Sequence, residues 1–323
     1  MNKMIKTGIF CLISVLASNC YAVYGTDERK DIYQAQNDPF LASVLHSIVM
    51  IVGKSSISES LEKGTFTYQL NTYYQNNNSF QPALSDICTG VLVAPDLVAT
   101  ARHCNENLED KVIIRGFSLT QQLTSKQMMM DFLQIPHSID KELRTIQNVY
   151  LSGEGSGNDF VLIRINAPFP LNEKTHKYDY LPVSTQRITY DKNKLVTHLV
   201  LMGYSSDMPL KSDFGPEKQV LSNIFDEPNR FSTNLDATGG NSGGPAFIYG
   251  NPTVIGLDSG SSMMNIPDSF SHLTQFGDND VFMPLLGDWD NNGSGQGREL
   301  LVQSANFSQA VQDYLKKYWP TSH

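Results

Sequence analysis

Thr238-Gly239-Gly240-Asn241-Ser242-Gly243-Gly244-Pro245 is the stretch that decides how this chain is read. A serine with glycine two before it and two glycines after it lets the backbone turn sharply enough to present one hydroxyl beside two free amide N–H groups. That is how an acyl-transfer nucleophile is displayed. The competing reading of the stretch, taken alone, is an ordinary glycine-rich surface turn. Two upstream segments bear on the choice. Leu97-Val98-Ala99-Thr100-Ala101-Arg102-His103-Cys104 and Gly157-Asn158-Asp159-Phe160-Val161 place a histidine and an aspartate ahead of the serine, each at the boundary of an apolar, strand-like run.

A serine hydroxyl is a poor nucleophile until a neutral imidazole accepts its proton, and the imidazole needs a carboxylate to fix its tautomer and stabilise its cation. Ser242 is therefore assigned as nucleophile, His103 as general base and acid, and Asp159 as the orienting carboxylate. The amides of Gly240 and Ser242 would form the oxyanion hole. Singly, His103 reads as a structural histidine and Asp159 as a turn residue; the joint order is what argues for chemistry.

The three motifs resemble those of the chymotrypsin/trypsin-like serine peptidases. The resemblance implies an all-β fold of two packed six-stranded antiparallel β-barrels, here with a C-terminal helix, and a serine endopeptidase working through an acyl-enzyme. It covers the chain from about Ile48 onward. Two departures matter: Arg102 stands where a small residue is usual, and Asn241 replaces the aspartate that pairs with a new N-terminal amine in animal zymogens. Activation by that ion pair is not expected here. Thr238 to Gly243 looks instead like the bacterial glutamyl-endopeptidase and exfoliative-toxin branch; HtrA-type proteases share the motif but need room for a PDZ domain.

By motif alignment Asp236, six residues before the serine, falls at the floor of the primary pocket, and Asp258 falls where glutamyl endopeptidases keep a histidine. An anionic pocket attracts a cation, so the expectation is cleavage after Lys or Arg. Ser259 and Gly260 would offer backbone groups to an extended substrate. The different-class alternative is a catalytically silent homologue serving as a binding or adhesion protein.

Composition agrees with a folded, exported protein. The 323 residues are 40% hydrophobic and 10% aromatic, enough for a substantial core. A formal charge of −9 without a Lys/Arg cluster argues against nucleic acid as a partner. The expected partners are protein or peptide substrates, approached as a monomer. Residues 1–22 read as a secretory signal, with Lys3 and Lys6 before an apolar run from Gly8 to Ala17 that is too short to remain in a bilayer. A lipoprotein processed at Cys20 is the competing reading, disfavoured by Asn19. Removing the signal takes Cys11 and Cys20 with it and leaves Cys88 and Cys104, which an oxidising compartment should join. The resembled family keeps a disulfide in the same place. The protein is expected to be secreted or periplasmic.

Along the chain, residues 23–45 are polar with no clear period and read as a leader or propeptide-like arm open to trimming. The peptidase domain is expected over 46–323, with barrel halves at about 46–170 and 171–305. Residues 54–86 read as a decorated surface loop or hairpin, and 166–194, with Pro168, Pro170 and Pro182, as the linker between halves. Lys126 to Leu133 fits helix or strand equally. Asn306 to Trp319 has helical spacing, with Asn306 or Ser308 available as a cap. The chemistry requires no cofactor. Asp288, Asp290, Asn292, Ser294 and Glu299 match the spacing of a calcium-binding EF-hand loop, although Gly295 is out of pattern and no helix precedes it; an ion-free Asn/Gly-rich loop is the other reading.

Overall fold

The computed structural model describes residues 28–320 apart from 36, 77–78, 156, 224–227, 263–273, 276–281 and 284–297. The signal segment with Cys11 and Cys20, and Asp288, Asp290, Asn292 and Ser294 of the calcium-like loop, lie outside the described residues. For Glu299 only the backbone is described.

Ile48 to Val52 is apolar at every position because its strand is buried on both sides. In β1 (Ile48–Gly53) the side chains of Val49 and Ile51 point into one cluster and those of Ile48, Met50 and Val52 into another, all at 1% exposure or less. Alternation across a strand makes this two-sided burial automatic, and each such side chain contributes about 1.5–3 kcal/mol relative to leaving it in water. With β2 (Cys88–Ala94), β3 (Leu97–Thr100), β4 (Lys111–Ile114), β5 (Leu143–Ser152) and β6 (Val161–Ile165) it forms a closed antiparallel barrel in the order β5-β6-β3-β2-β1-β4. β4 closes it by pairing with both β1 and β5. Val49, Ile51, Leu92, Val98, Ile113, Val161 and Ile163 fill the interior.

The second half is built from β7 (Leu199–Gly203), β8 (Lys211–Phe214), β9 (Val220–Asn223), β10 (Arg230–Thr233), β11 (Pro245–Ile248), β12 (Asn251–Ser262) and β13 (Arg298–Gln303). β7 pairs with β8 and with β11, and the sheet continues through β12, β13 and β10 to β9. It is drawn back on itself by a single bridge, Thr197 to Gln219, flanked by Leu199 N–H on the Lys218 carbonyl (3.0 Å) and Val220 N–H on the Val196 carbonyl (3.0 Å). β7, β11, β12, β13, β10 and β9 therefore ring a second core of Leu199, Leu201, Val220, Phe231, Ala246, Ile255 and Leu301. The expected two-barrel architecture is present, with the second ring closed by this one bridge.

Residues 166–194 cross between the halves: Leu181 N–H bonds the Leu92 carbonyl of the first barrel (2.9 Å), and Val183 bridges Val254 of the second. The 54–86 segment folds into two hairpins, Ile57–Ser60 with Thr65–Tyr68 and Thr72–Asn76 with Ser79–Ala83.

Within the segment read as a leader-like arm, residues 30–31 and 38–44 pack on the second half. Lys30 and Asp31 pair with Ser212 and Lys211 of β8, and Asp31 forms an ion pair with Lys211. Helix α1 (Pro39–Val44) is capped by Asp38, whose carboxylate accepts from the amides of Phe40 and Leu41. Phe40 packs on Phe247 and Tyr249. No period was legible there because these elements are two to six residues long, shorter than two helical turns.

Lys126–Leu133 is a helix, α2, with Ser125 as its N-cap. The C-terminal helix α3 (Ser308–Tyr318) has Phe307 at its N-cap and hence no side-chain cap bond, in place of the cap expected from Asn306 or Ser308; the Ser308 hydroxyl donates to the Ala305 carbonyl. α3 packs back on the first barrel through Tyr314 against Tyr150, while Trp319 just beyond it donates its indole N–H to Asp96 at 2.8 Å.

Candidate active site

β3 ends at Thr100, and the 3₁₀ turn Arg102–Asn105 carries His103 away from it. The disulfide between Cys88 and Cys104 ties that turn to the first residue of β2, with Cα atoms 6.1 Å apart. Asp159 sits in the turn before β6, held by Gly153 N–H on the Phe160 carbonyl at 2.8 Å. The turn admits no side chain at Gly153, where a Cβ would lie 2.2 Å from the Asn158 carbonyl. Arg102 donates from Nη1 to the Gly153 carbonyl at 3.1 Å, so the residue out of family pattern braces the aspartate's own loop.

Both oxygens of Asp159 are engaged. Oδ1 accepts the backbone N–H of His103 at 3.1 Å; Oδ2 meets His103 Nδ1 at 2.8 Å and accepts the Ser259 hydroxyl at 2.8 Å. A carboxylate can only accept, so Nδ1 carries the proton and Nε2 is left as the basic nitrogen. Burial opposes charge on Asp159, but the hydrogen bond and charge of His103, with the Ser259 hydroxyl and the His103 amide, hold its carboxyl down at about 2. Burial likewise opposes an imidazolium, yet Asp159 outweighs it and raises His103 above the ordinary value. This arrangement can hold an imidazole in one tautomer and stabilise its cation.

Ser242 lies on the turn between β10 and β11. Gly240 and Gly243 have φ of +88° and +84°, the left-handed region that glycine adopts without strain. A Cβ on Gly243 would lie 2.1 Å from Thr100 Oγ1 and 2.7 Å from the Ala101 amide nitrogen, so the serine turn is pressed against the strand end that delivers His103. Thr89 fixes it from the first barrel: its N–H donates to the Ser242 carbonyl and its hydroxyl to the Gly240 carbonyl, both at 2.8 Å. Among the described residues, the Ser242 hydroxyl makes no hydrogen bond, to His103 or otherwise, and the amides of Gly240 and Ser242 have no protein partner. The histidine, aspartate and serine turns are thus brought together with the His103–Asp159 link formed and the Ser242 hydroxyl unlinked. Catalytic hydrogen bonds are commonly long before substrate arrives.

Three of the residues expected to meet substrate, Ser259, Asp258 and Asp236, carry side-chain hydrogen bonds within the protein. Ser259 gives its side chain to Asp159 and so belongs to the histidine's support. Asp258 is 2% exposed, with Oδ2 accepting from Asn241 Nδ2 at 3.0 Å and Oδ1 from the Gly260 amide at 3.0 Å. It is a bracket for Asn241, whose Oδ1 accepts the Ser205 hydroxyl at 3.1 Å. Gly260 is partly exposed in β12 with φ of +107°.

Asp236 is 1% exposed and already holds a cation. Lys218 Nζ lies 3.4 Å from it, 3.1 Å from Asp213 and 3.2 Å from Glu28. Burial disfavours the ammonium, but the charges of Asp213 and Asp236 hold the Lys218 pKa above its ordinary value. Burial, with the Asp236 charge behind it, pushes Asp213 up to about 7. Asp236, expected as an anion at the floor of the primary pocket, is thus one arm of a buried ion cluster. Lys218, Thr89 and Ser205 carried no local signal: each is a common polar residue whose role depends mainly on partners far along the chain, such as Glu28 for Lys218, Gly240 for Thr89 and Asn241 for Ser205.

Solved structures similar to this chain include an inactivated protease paralogue of the scabies mite (15% identity over 85% of this chain and 96% of that one, TM-score 0.45). A Glu endopeptidase in complex with MPD (14%, 92% and 100%, TM-score 0.46) and kallikrein-related peptidase 10 (14%, 85% and 98%, TM-score 0.46) are others. The trypsin family model matches residues 58–278, which makes this chain a member of the trypsin family.

Proposed function

We propose that this protein is an exported serine endopeptidase that cleaves protein or peptide substrates through an acyl-enzyme on Ser242. The observation that carries the proposal is the doubly engaged Asp159, which holds the imidazole of His103 by Nδ1 and by its backbone amide next to the serine turn. His103 Nε2 takes the Ser242 proton as the hydroxyl oxygen bonds to the scissile carbonyl carbon. The same nitrogen returns a proton to the leaving amine, and water repeats the sequence to release the acid. The amides of Gly240 and Ser242 receive the negative oxygen that develops. The chemistry calls on side chains and backbone alone, and no helix among the described residues is long and apolar enough to cross a membrane.

The Lys/Arg preference expected from Asp236 loses its physical support, because a substrate cation would have to compete with an ammonium already paired to three carboxylates. The test is a cleavage profile on a complex peptide mixture, comparing the protein with its Ser242→Ala variant. The proposal expects cuts that vanish in the variant and show no enrichment for Lys or Arg. Enrichment after Lys or Arg would return Asp236 to the pocket, and an absence of cuts would bring forward the silent, partner-binding homologue.

A further inference from the structure

The peptide leading into the first barrel reaches the loop that carries the nucleophile, although it lies more than 200 residues away in sequence. Glu28 donates its backbone N–H to Asp236 Oδ2 at 3.1 Å and places its carboxylate 3.2 Å from Lys218 Nζ. Arg29 donates from Nη1 to Thr238 Oγ1 at 2.8 Å, and Thr238 in turn shares a 2.8 Å hydrogen bond with Ser206 Oγ. Ser206 N–H bonds the Gly239 carbonyl, and its neighbour Ser205 bonds Asn241. Residues 236, 238, 239 and 241 are thereby tied, through two consecutive residues and the 205–206 turn, up to the position next to Ser242. Immediately downstream, Lys30 and Asp31 are locked to β8 by strand pairing and by the Asp31–Lys211 ion pair. Anchored there, Glu28 and Arg29 are held at a fixed point relative to the second barrel.

We infer that Glu28 and Arg29 are positioning residues: they strap the 236–241 segment in the conformation that presents Ser242 and the Gly240 amide, in the place where this chain lacks an acidic residue before its serine. The inference deepens the peptidase reading and rests on it for its kinetic consequence, though not for its structural one. Guanidinium suits the task because it keeps its charge at any working pH and offers several donors in a rigid plane. It follows that the segment read as a trimmable leader contains part of the active-site scaffold, and that processing compatible with activity stops ahead of Glu28.

The experiment compares Arg29→Met, Arg29→Lys and, as a control in the same segment, Asp38→Ala, all in the full chain. Hydrogen exchange of the amides at 236–243 is read together with kcat, KM and melting temperature. Loss of one charge-assisted hydrogen bond should raise local opening about ten- to a hundred-fold in Arg29→Met. A fall of similar size in kcat, with KM little changed and partial recovery in Arg29→Lys, is the expected kinetic result. Asp38→Ala, which removes the cap of α1, should lower the melting temperature while leaving exchange at 236–243 and kcat near wild type. Exchange at 236–243 unchanged in Arg29→Met, or kcat losses that merely follow the melting temperature across the three variants, would overturn the inference. Should the wild-type protein prove inert toward peptides, the peptidase reading falls, and the exchange rates alone still decide whether the strap exists.

Discussion

The carboxylate of Asp159 is the residue on which the site turns, because it spends both oxygens on His103 and takes a third bond from Ser259. Its partners impose opposite pH demands on stability and activity. Asp159 is depressed from 3.8 to about 2, so its contribution to stability is full above the ordinary carboxylate value and is lost as pH falls through about 2. His103 is raised above 6.5, so its contribution is full below 6.5 and is lost as pH rises through the raised value. The pair therefore stabilises the fold most between these two ordinary values, whereas catalysis needs a neutral imidazole and should rise only above 6.5. A pH profile of kcat/KM is expected to show an acid limb above the ordinary imidazole value. Asp159→Asn should move that limb down and lower kcat by about 10⁴-fold, as a wrong tautomer does in other Ser-His-Asp enzymes. The pairing of His103 with Asp159 was suggested in the sequence by the joint order of the histidine, aspartate and serine motifs, not by either residue alone. The roles of Ser259 and Lys218 were not legible, because what they do is set by Asp159, 100 positions from Ser259, and by Asp213, Asp236 and Glu28 around Lys218.

At the scale of elements, the site is a junction of strand ends, and the tightest junction is the one at Gly243. With φ of +84° and a Cβ position 2.3 Å from the Thr89 carbonyl and 2.1 Å from Thr100 Oγ1, Gly243→Ala must move the serine turn away from β2 and β3. The expected outcome is loss of at least about 100-fold in kcat/KM with a lowered melting temperature, since overpacking typically costs about 1–3 kcal/mol and the strained φ adds to it. Near-normal kinetics in that variant would mean that the turn has more room than its contacts indicate. The disulfide was legible from two independent lines, the compartment and the motif, and the strands from their apolar runs. The helix at Lys126–Leu133 could not be told from a strand by eight residues of pattern, and was settled by Ser125 capping its first turn. The packed elements of residues 28–45 were hidden by their shortness, although Phe40, Leu41 and Val44 are all buried.

The described residues form two rings of six strands, crossed by the 166–194 segment and bound together by residues 28–45 and by α3, each of which packs on the half farther from it in sequence. The N-terminal peptide reaches the second barrel through β8 and Phe247, and α3 returns to the first barrel through Tyr150 and Asp96. The ion cluster of Lys218, Asp213, Asp236 and Glu28 sits beside the Thr197–Gln219 bridge that closes the second ring. Asp213 is raised from 3.8 to about 7 by burial and by Asp236, so the stability it confers is full below 3.8 and is lost as pH rises through about 7. The melting temperature of the wild-type protein should fall as pH rises toward and past about 7, and Asp213→Asn should flatten that fall. A wild-type slope retained in the variant would place the effect elsewhere; Asp207, also raised to about 7 by burial, and His103, raised above its ordinary value by Asp159, are the groups that would account for it. The two-barrel plan was readable from the sequence because apolar runs of four to seven residues mark its strands. The closure of the second ring was not readable, because it rests on one bridge between polar residues. All of this architecture serves one claim, that Ser242 is a nucleophile activated by His103, and an active-serine probe tests it most directly. Intact-mass measurement on the folded protein should show one adduct per chain, mapped to Ser242 and abolished in His103→Ala; a folded wild-type protein that takes no adduct, or one labelled equally without His103, would contradict it.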